Sequence, residues 1–320
     1  MSYFETKGKL AVISGGSQGL GAALAKQLIL KGSNVVIVSR TESKLQKTVT
    51  SLELSRLNDD QLIKYIVADV SDPTECSRVF QELDDVPDIV ICCAGGAVPG
   101  LLVDMEADTL KKHMAICYDT ALFFSHAAMK VMIPKQKEIE AHHGRPSKRH
   151  LIYCSSVLAL FPFIGYGSYG PAKAAIRALA DIARQECIPY NISVANILPG
   201  NMATEGFVEE EKTKPEITRK IEGPSDARDP DIVAKEVIRD LERGQEMIYT
   251  DLIGWILSGL MMGASPRNWG IFQSIIAAVL VFFAPVWMFF VRKDIKDYFQ
   301  KKTEEEHISK TKTEQTSNSK

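Results

Sequence analysis

The chain alternates short apolar runs with longer stretches in which apolar residues recur at helical spacing. The short runs are rich in Val and Ile, which favour strands, and the longer stretches carry one apolar face. The predicted strands cover residues 10–14, 34–39, 61–68, 88–93, 150–155 and 193–198, and the predicted helices cover residues 22–31, 44–56, 73–83, 109–133, 170–188 and 231–243. This alternation predicts an α/β fold with a doubly wound parallel sheet of the Rossmann type.

Two segments interrupt the alternation. Residues 134–150 begin with a proline and are polar and charged, so we expect a loop there. Residues 201–229 are rich in Glu, Lys, Pro and Gly, and we expect a mobile substrate loop with helical stretches. Both segments should lie outside the sheet.

The chain becomes strongly apolar after the last predicted helix. Residues 271–291 contain no charged side chain, and at about 1.5 Å per residue a helix of this length spans a bilayer core. The alternative is a helix buried in an oligomer interface. Residues 252–263 are also apolar but too short to span alone, which fits a re-entrant segment, an interfacial segment or a lid.

These patterns divide the chain into three parts. We expect an α/β domain at residues 1–250, a membrane-associated helical segment at residues 251–291 and a polar tail at residues 292–320. Within the tail, residues 303–320 are polar apart from Ile308, and we expect them to be disordered.

Composition narrows the possible functions. The 38 basic and 40 acidic residues nearly balance, so we expect no nucleic-acid partner. The six cysteines form no CxxC pair and the six histidines show no ligand spacing, so we expect reduced thiols and no metal site. Residues 1–9 lack the apolar core of a signal peptide, which favours a domain that faces the cytosol.

A glycine-rich sequence, SGGSQGLG at residues 14–21, separates the first predicted strand from the first predicted helix. Glycines at this turn let the backbone approach a pyrophosphate, and the helix N-terminus offers free N–H groups. The candidate cofactor contacts are Gly15, Ser17, Gly19, Leu20 and Gly21. The same residues fit GxSxG, the nucleophile elbow of serine hydrolases. That elbow normally follows several strands and needs a later acid and His, so we favour the dinucleotide interpretation.

The end of the second strand bears on the choice of cofactor. Many NAD-binding folds place an acid there to hold the ribose 2′-hydroxyl, but this chain has Ser39 and Arg40. A guanidinium suits a 2′-phosphate, and Ser17 and Lys44 can add contacts. The sequence therefore predicts NADPH as the cofactor.

A second motif, YGPAK at residues 169–173, opens the helix predicted at residues 170–188. The spacing places Tyr169 and Lys173 on one helical face. An ammonium beside a phenol favours the phenolate and eases proton transfer. Tyr169 is therefore the predicted proton donor, with Lys173 as its partner.

Together the motifs resemble those of the short-chain dehydrogenase/reductase family over residues 9–250, with Ser14 in place of Thr in TGxxxGxG. The resemblance implies that Ser156, or less favourably Ser155, orients a substrate carbonyl, and that Lys173 also binds the nicotinamide ribose. It further implies cofactor contacts from Asp69 and Val70 at the adenine, from Ala94 and Gly95 where the cofactor passes closely, and from Pro199, Gly200 and Thr204 at the nicotinamide end. Cys117 stands where the family has an Asn of the proton relay, and a thiol forms weaker hydrogen bonds.

An anchor beside such a domain favours a substrate dissolved in the bilayer. Among membrane-anchored members of the family, the chain resembles reductases of long-chain keto lipids. The resemblance rests on GGSQGLG at 15–21, SR at 39–40, YGPAK at 169–173, PGNMATEGF at 199–207 and TDLIG at 250–254. It implies reduction of the 3-keto group of a long-chain sphingoid base at the endoplasmic reticulum membrane, with the catalytic domain facing the cytosol. The acidic stretch 205–211 then lies near the substrate's ammonium group or forms a solvated face.

Other functions stay open at this point. A membrane-bound reductase of a steroid or a fatty-acyl ketone would share every motif. A GxSxG hydrolase and a non-catalytic cofactor-binding scaffold remain alternatives of another class. The family also forms homo-oligomers frequently, which makes a second copy of the chain a possible partner.

Overall fold

The computed structural model describes residues 3–144, 147–224, 227–261, 266 and 270–317. Within these ranges, seven parallel strands form one sheet in the order β3-β2-β1-β4-β5-β6-β7. The strands are β1 (Leu10–Ser14), β2 (Asn34–Ser39), β3 (Ile63–Val67), β4 (Ile89–Cys92), β5 (Arg149–Cys154), β6 (Ile192–Leu198) and β7 (Met247–Tyr249). The chain winds from β1 outward to β3 and then returns to β4 on the other side of β1. The carboxyl ends of β1 and β4 therefore flank the switch point where such folds bind ligands.

Helices cover both faces of this sheet. The described ranges contain α1 (Gly19–Ile29), α2 (Glu42–Glu53), α3 (Pro73–Gln81), α4 (Ala107–Met114), α5 (Thr120–His143), α6 (Gly170–Cys187), α7 (Glu205–Thr213), α8 (Glu216–Glu222), α9 (Pro230–Glu242), α10 (Leu252–Met261) and α11 (Gly270–Ser317). One core forms where α1 and α9 bury Leu24 and Val237 against the sheet. The other forms where α3 and α5 bury Phe80 and Phe124 on the opposite face. The predicted doubly wound α/β sheet is confirmed.

The loop expected at residues 134–150 is wrong over most of its length. Helix α5 continues through Pro134 and ends only at His143. The buried side chain of Gln136 explains the extension, because its Nε2 donates to the carbonyls of Ser147 and Tyr190. The hydrogen bonds of Gln136 thus stabilise the last turns of α5, where the sequence no longer shows an apolar periodicity.

The substrate loop expected at residues 201–229 contains two short helices, α7 and α8. Thr204 begins α7, because its Oγ1 accepts a hydrogen bond from the backbone N–H of Phe207 at 3.1 Å. Strand β7, which the sequence pattern did not predict, follows α9 and pairs with β6. Three residues are too few to show a strand periodicity.

Helices α10 and α11 form the C-terminal region and pack against each other. Gln273 of α11 donates to Ser258 of α10 at 2.9 Å, and both side chains are buried. The remaining predicted positions of the short apolar segment, residues 262–263, lie outside the described residues.

Helix α11 is a candidate for membrane association. In the described part of the chain it is the one helix long and apolar enough to cross a bilayer, with a mean hydropathy of 2.5 in its apolar window. Large side chains such as Phe282 and Phe283 are 81% and 63% exposed. An apolar surface of this kind requires lipid or another protein to cover it.

The polar tail differs from the expected disorder, because α11 continues to Ser317. Adding residues to a helix that has already formed costs less than starting one, and the tail is rich in helix-forming Glu and Lys. Lys301 and Glu305 also lie one turn apart at 4.0 Å. The prediction was wrong for residues 303–317, and residues 318–320 lie outside the described residues.

Candidate active site

The glycine-rich turn after β1 packs too closely for side chains. Gly15 has φ +71°, and a Cβ there would lie 2.7 Å from the backbone of Ala94. A Cβ on Gly21 would lie 2.3 Å from the carbonyl oxygen of Gly15. The turn is fixed to β2 by the N–H of Gly15, which donates to Val38 O at 2.9 Å. The glycines thus bring the start of α1 directly to the carboxyl edge of the sheet.

The N-terminus of α1 is open toward this edge. Gln18 occupies the N-cap position in an extended conformation, and its side chain does not cap the helix. The first N–H groups of a helix have no partner within the helix, and they carry the positive end of its dipole. Gly19, Leu20 and Gly21 line the cleft at this point, which makes it a site for a phosphate.

Basic and hydroxyl side chains follow at the end of β2. Ser17 Oγ donates to Ser39 Oγ at 3.0 Å. Arg40 is 61% exposed, and its nearest ion-pair partner, Asp69, lies 4.0 Å away. Lys44 reaches Glu205 at 2.9 Å, across the cleft from α7. Arg40 is therefore available to a ligand, whereas Lys44 already donates to Gln18 and Glu205.

The predicted catalytic side chains meet where β5 ends and α6 begins. Tyr169 is the N-cap residue of α6, and Lys173 follows in the first turn. Lys173 Nζ lies 5.5 Å from the centre of the Tyr169 ring and donates to Cys154 O at 2.9 Å. Ser156 lies close enough to Tyr169 to lower the pKa of its hydroxyl, and both side chains border the same cleft. The structure thus joins the three side chains in one group.

The two serines at the end of β5 have different surroundings. Ser155 Oγ donates to the carbonyl of Lys173 at 2.7 Å, inside the core. Ser156 Oγ accepts from the N–H of Leu158 at 3.2 Å and lies beside Tyr169. Both line the cleft, but Ser155 fixes the backbone of α6 whereas Ser156 keeps a hydroxyl proton for a ligand.

The electrostatics of the group suit proton transfer. Burial raises the pKa of Tyr169, and the Lys173 ammonium opposes that shift. Burial lowers the pKa of Lys173, but the neighbouring phenol and thiols outweigh burial and raise it above the ordinary value. Lys173 therefore stays charged, and Tyr169 stays protonated at neutral pH with a cation poised to stabilise its phenolate.

Three thiols surround the lysine. Cys117, which the motif resemblance aligns with the family Asn, lies in a π-helical turn between α4 and α5 and donates to Gly96 O at 3.0 Å. Cys93 follows β4 and Cys154 ends the adjacent strand β5. The two thiols influence each other, and the interaction lowers the pKa of Cys93 and raises that of Cys154. The Cys117 thiol is thus buried and already hydrogen-bonded to the backbone.

The far end of the cleft is built by the segment after β6. The N–H of Gly200 donates to Thr250 Oγ1 at 3.0 Å, and a Cβ on Gly200 would collide with the carboxylate of Asp251. These contacts fix Gly200, which borders the same cleft as Tyr169 together with Pro199 and Thr204.

All predicted site residues border one cleft of about 460 Å³. They are Gly15, Ser17, Gly19, Leu20, Gly21, Arg40, Lys44, Asp69, Val70, Ala94, Gly95, Ser155, Ser156, Tyr169, Lys173, Pro199, Gly200 and Thr204. An open helix N-terminus, a guanidinium and small residues along the floor suit a dinucleotide, so the residues fit the cofactor that the motifs predict. Ser17, the nucleophile of the hydrolase alternative, contacts another serine and not a histidine.

The structure adds residues that the motifs did not identify. Phe207 and Glu210 of α7 border the same cleft, as does Asn201. Tyr166 supports this side, since its hydroxyl donates to Glu210 Oε1 at 2.5 Å. The acidic composition of residues 205–211 was the one signal in the sequence, but it could not distinguish Glu210 from its exposed neighbours.

Comparison with known sequences bears directly on this cleft. Residues 9–215 match the short chain dehydrogenase family. The chain is 45% identical over 306 residues to the 3-ketodihydrosphingosine reductase of Yarrowia lipolytica, covering 94% of this chain and 80% of that one. It is 35% identical over 289 residues to the 3-ketodihydrosphingosine reductase of Saccharomyces cerevisiae, covering 83% and 86%.

Solved structures share the fold at lower identity. A short-chain dehydrogenase from Sphingobium yanoikuyae in complex with NADPH superimposes with a TM-score of 0.62 and 21% identity, covering 76% of this chain and 88% of that one. A short chain dehydrogenase/reductase from Burkholderia phymatum in complex with NAD gives 0.63 and 18%, covering 77% and 90%. At this low identity the solved structures support the fold alone. The chemistry must be inferred from the residues of the cleft.

Proposed function

The chain belongs to the short chain dehydrogenase family, and from that premise we propose that it reduces 3-ketodihydrosphingosine to dihydrosphingosine with NADPH. It is an oxidoreductase, and the relatives named for this reaction align with 83–94% of its length. That alignment carries the proposal, because it extends well beyond the residues that the whole family shares.

The side chains of the cleft divide the reaction between them. When bound, the cofactor supplies a hydride to the carbonyl carbon. Ser156 donates a hydrogen bond to the carbonyl oxygen, and Tyr169 gives that oxygen its proton. Lys173 stabilises the phenolate that remains and holds the nicotinamide ribose, while Ser155 positions the first turn of α6 through the Lys173 carbonyl.

The cofactor contacts follow the order of the strands. The open N-terminus of α1 would hold the pyrophosphate, and Asp69 and Val70 after β3 would border the adenine. Arg40, with Ser17 and Lys44, would bind the 2′-phosphate of NADPH. Ala94, Gly95, Pro199, Gly200 and Thr204 would border the nicotinamide end.

The test of the function is direct. Detergent-solubilised protein is expected to oxidise NADPH when given 3-ketodihydrosphingosine, with dihydrosphingosine identified by mass spectrometry. A steroid ketone and a fatty-acyl ketone serve as competing substrates, since reductases of those compounds would carry the same motifs. Faster turnover of either competitor would contradict the assigned substrate and leave the family and cleft intact.

The C-terminal region would hold the enzyme at the membrane that contains its substrate. We place residues 1–250 in the cytosol as the catalytic domain, residues 251–291 in the endoplasmic reticulum membrane and residues 292–320 as the polar tail. Phe161, which precedes α6, packs edge-on against Trp287 of α11 with ring centres 4.7 Å apart. That contact connects the apolar helix to the segment that carries Tyr169.

Two arginines in the apolar half of α11 are expected to release the protein from membranes. Each arginine near the centre of a spanning helix costs about 2.5–3.5 kcal/mol, so Val279→Arg with Phe283→Arg should move the protein from the alkaline-washed membrane fraction to the soluble fraction. Phe299→Arg, in the polar half of the same helix, is the matched control and should stay with the membranes. Retention of the double variant in washed membranes would argue against a lipid-facing helix.

A further inference from the structure

Glu210 stands apart from the other acidic residues near the active site. Among the described residues, the carboxylates that border the cleft are Asp69 and Glu210. Asp69 follows β3 beside Arg40, at the adenine end. Glu210 lies at the catalytic end, and its charge acts on Tyr169 by raising the pKa of that phenol.

The carboxylate is held in place from one side only. Tyr166 donates to Glu210 Oε1 at 2.5 Å, and Lys214 lies 3.6 Å from the same oxygen. Within the described part of the chain, Oε2 receives no hydrogen bond. The centre of the Tyr166 ring lies 6.1 Å from that of the Tyr169 ring. Tyr166 therefore contacts Glu210 through its hydroxyl and lies beside the catalytic phenol with its ring.

The charged side chains around Glu210 include more carboxylates than cations. Lys214 is buried and pairs with Glu211, Glu222 and Glu210. Glu211 also pairs with Arg219. Three carboxylates therefore share two cations, and Glu211 and Glu222 take the shorter contacts. Glu210 is the member left to neutralise a further cation, and burial raises its pKa as expected for a carboxylate short of partners.

The proposed substrate carries such a cation next to its reacting group. In 3-ketodihydrosphingosine the amino group is on the carbon next to the carbonyl, so it must enter the cleft together with the reacting group. A buried ammonium without a carboxylate partner would be costly. We infer that Glu210 binds the ammonium group of the 2-amino ketone, and that Tyr166 positions this carboxylate beside the catalytic phenol.

This inference rests on the proposed function, and it explains how the cleft would distinguish amino ketones from other long-chain ketones. A long-chain ketone that lacks the amine would leave Glu210 without this additional cation in a largely buried position. Sites that bind a polar group reject analogues without it more strongly than apolar sites reject an added group. The enzyme would therefore prefer amino ketones to plain long-chain ketones.

The experiment compares two ketones in two variants. The substrates are 3-ketodihydrosphingosine and the same long-chain ketone with hydrogen in place of the 2-amino group. Glu210→Gln keeps an acceptor for Tyr166 but removes the charge, and it should lower kcat/KM for the amino ketone about 10- to 100-fold, mainly through KM, as for a lost charge-assisted hydrogen bond. The plain ketone should change by less than about threefold, since no such bond is made.

Matched variants separate this role from a general effect. Glu209→Gln alters an exposed neighbour that pairs with Lys212, and both ketones should react as in the wild type. Tyr166→Phe removes the hydroxyl that positions Glu210 and should give a smaller loss, again confined to the amino ketone. Melting temperature and NADPH binding check that each variant is folded.

The possible failures are distinct. Wild-type protein that reduces neither ketone would overturn the proposed function and the inference with it. Wild-type protein that reduces both ketones equally, or an equal loss for both in Glu210→Gln, would overturn the inference and leave the reductase function standing.

Discussion

Replacing Tyr169 with Phe is expected to lower kcat about 10²- to 10⁴-fold, the range for removing a positioned acid. The phenol is the group beside Lys173 and Ser156 that carries a transferable proton, and Phe keeps its ring in place. Burial of that ring is unchanged, so the variant should fold and bind NADPH normally. The measurement is single-turnover oxidation of NADPH in the presence of saturating ketone, with cofactor binding followed by fluorescence.

A remote tyrosine provides the control. Tyr65 lies on β3 with its hydroxyl 3.1 Å from Glu42, away from the cleft. Tyr65→Phe should leave kcat unchanged. A Tyr169→Phe variant that retains more than about a tenth of wild-type kcat would contradict its role as the proton donor.

The pH dependence follows from the same phenol. Reduction consumes the Tyr169 proton, so the reaction needs the protonated form and is lost as pH rises through its pKa. Burial raises that pKa above the ordinary tyrosine value, with Lys173 opposing the shift. The rate should therefore hold through the neutral range and fall only at strongly alkaline pH. The residual activity of Tyr169→Phe should lack that alkaline fall.

Replacing Arg40 with Asp should reverse the cofactor preference. Loss of a charge-assisted contact to the 2′-phosphate costs about 1.5–3 kcal/mol, which corresponds to about 10- to 100-fold in kcat/KM for NADPH. An aspartate at this position repels the phosphate further and can accept from the ribose hydroxyls of NADH. The ratio of kcat/KM for NADPH over NADH should fall by at least about 100-fold.

The exposure of Arg40 makes this test sharp. Its side chain is 61% exposed and its nearest acid lies 4.0 Å away, so replacement should not affect stability. Lys47→Ala on the exposed side of α2 removes a nearby positive charge that does not border the cleft, and it should leave the ratio unchanged. An equal loss of kcat/KM for NADPH and NADH in Arg40→Asp would mean that Arg40 does not bind the 2′-phosphate.

Local sequence determined much of the fold. Most strands and helices from β1 to β6 follow from hydrophobic periodicity, because the central strands are buried on both faces and the helices that cover them on one. The glycine turn and the Tyr169–Lys173 spacing likewise depend on short-range geometry, so a motif of a few residues specifies them. The apolar composition of residues 271–291 indicated a long apolar helix for the same reason.

Contacts distant in sequence decided the remainder. Gln136 extends α5 past Pro134 only because Ser147 and Tyr190 come within reach of its amide in the folded chain. Ser155 and Ser156 are neighbours in sequence, and only the packing of α6 on β5 assigns one to the backbone of Lys173 and the other to Tyr169. Glu210 is one of several glutamates in α7, and the hydroxyl of Tyr166, from a different segment, separates it from the rest. The sequence by itself determined which chemistry the chain carries, since that chemistry depends on residue type and local spacing. The tertiary structure decided which of several similar side chains faces the cleft, because that choice depends on packing between segments far apart in the chain.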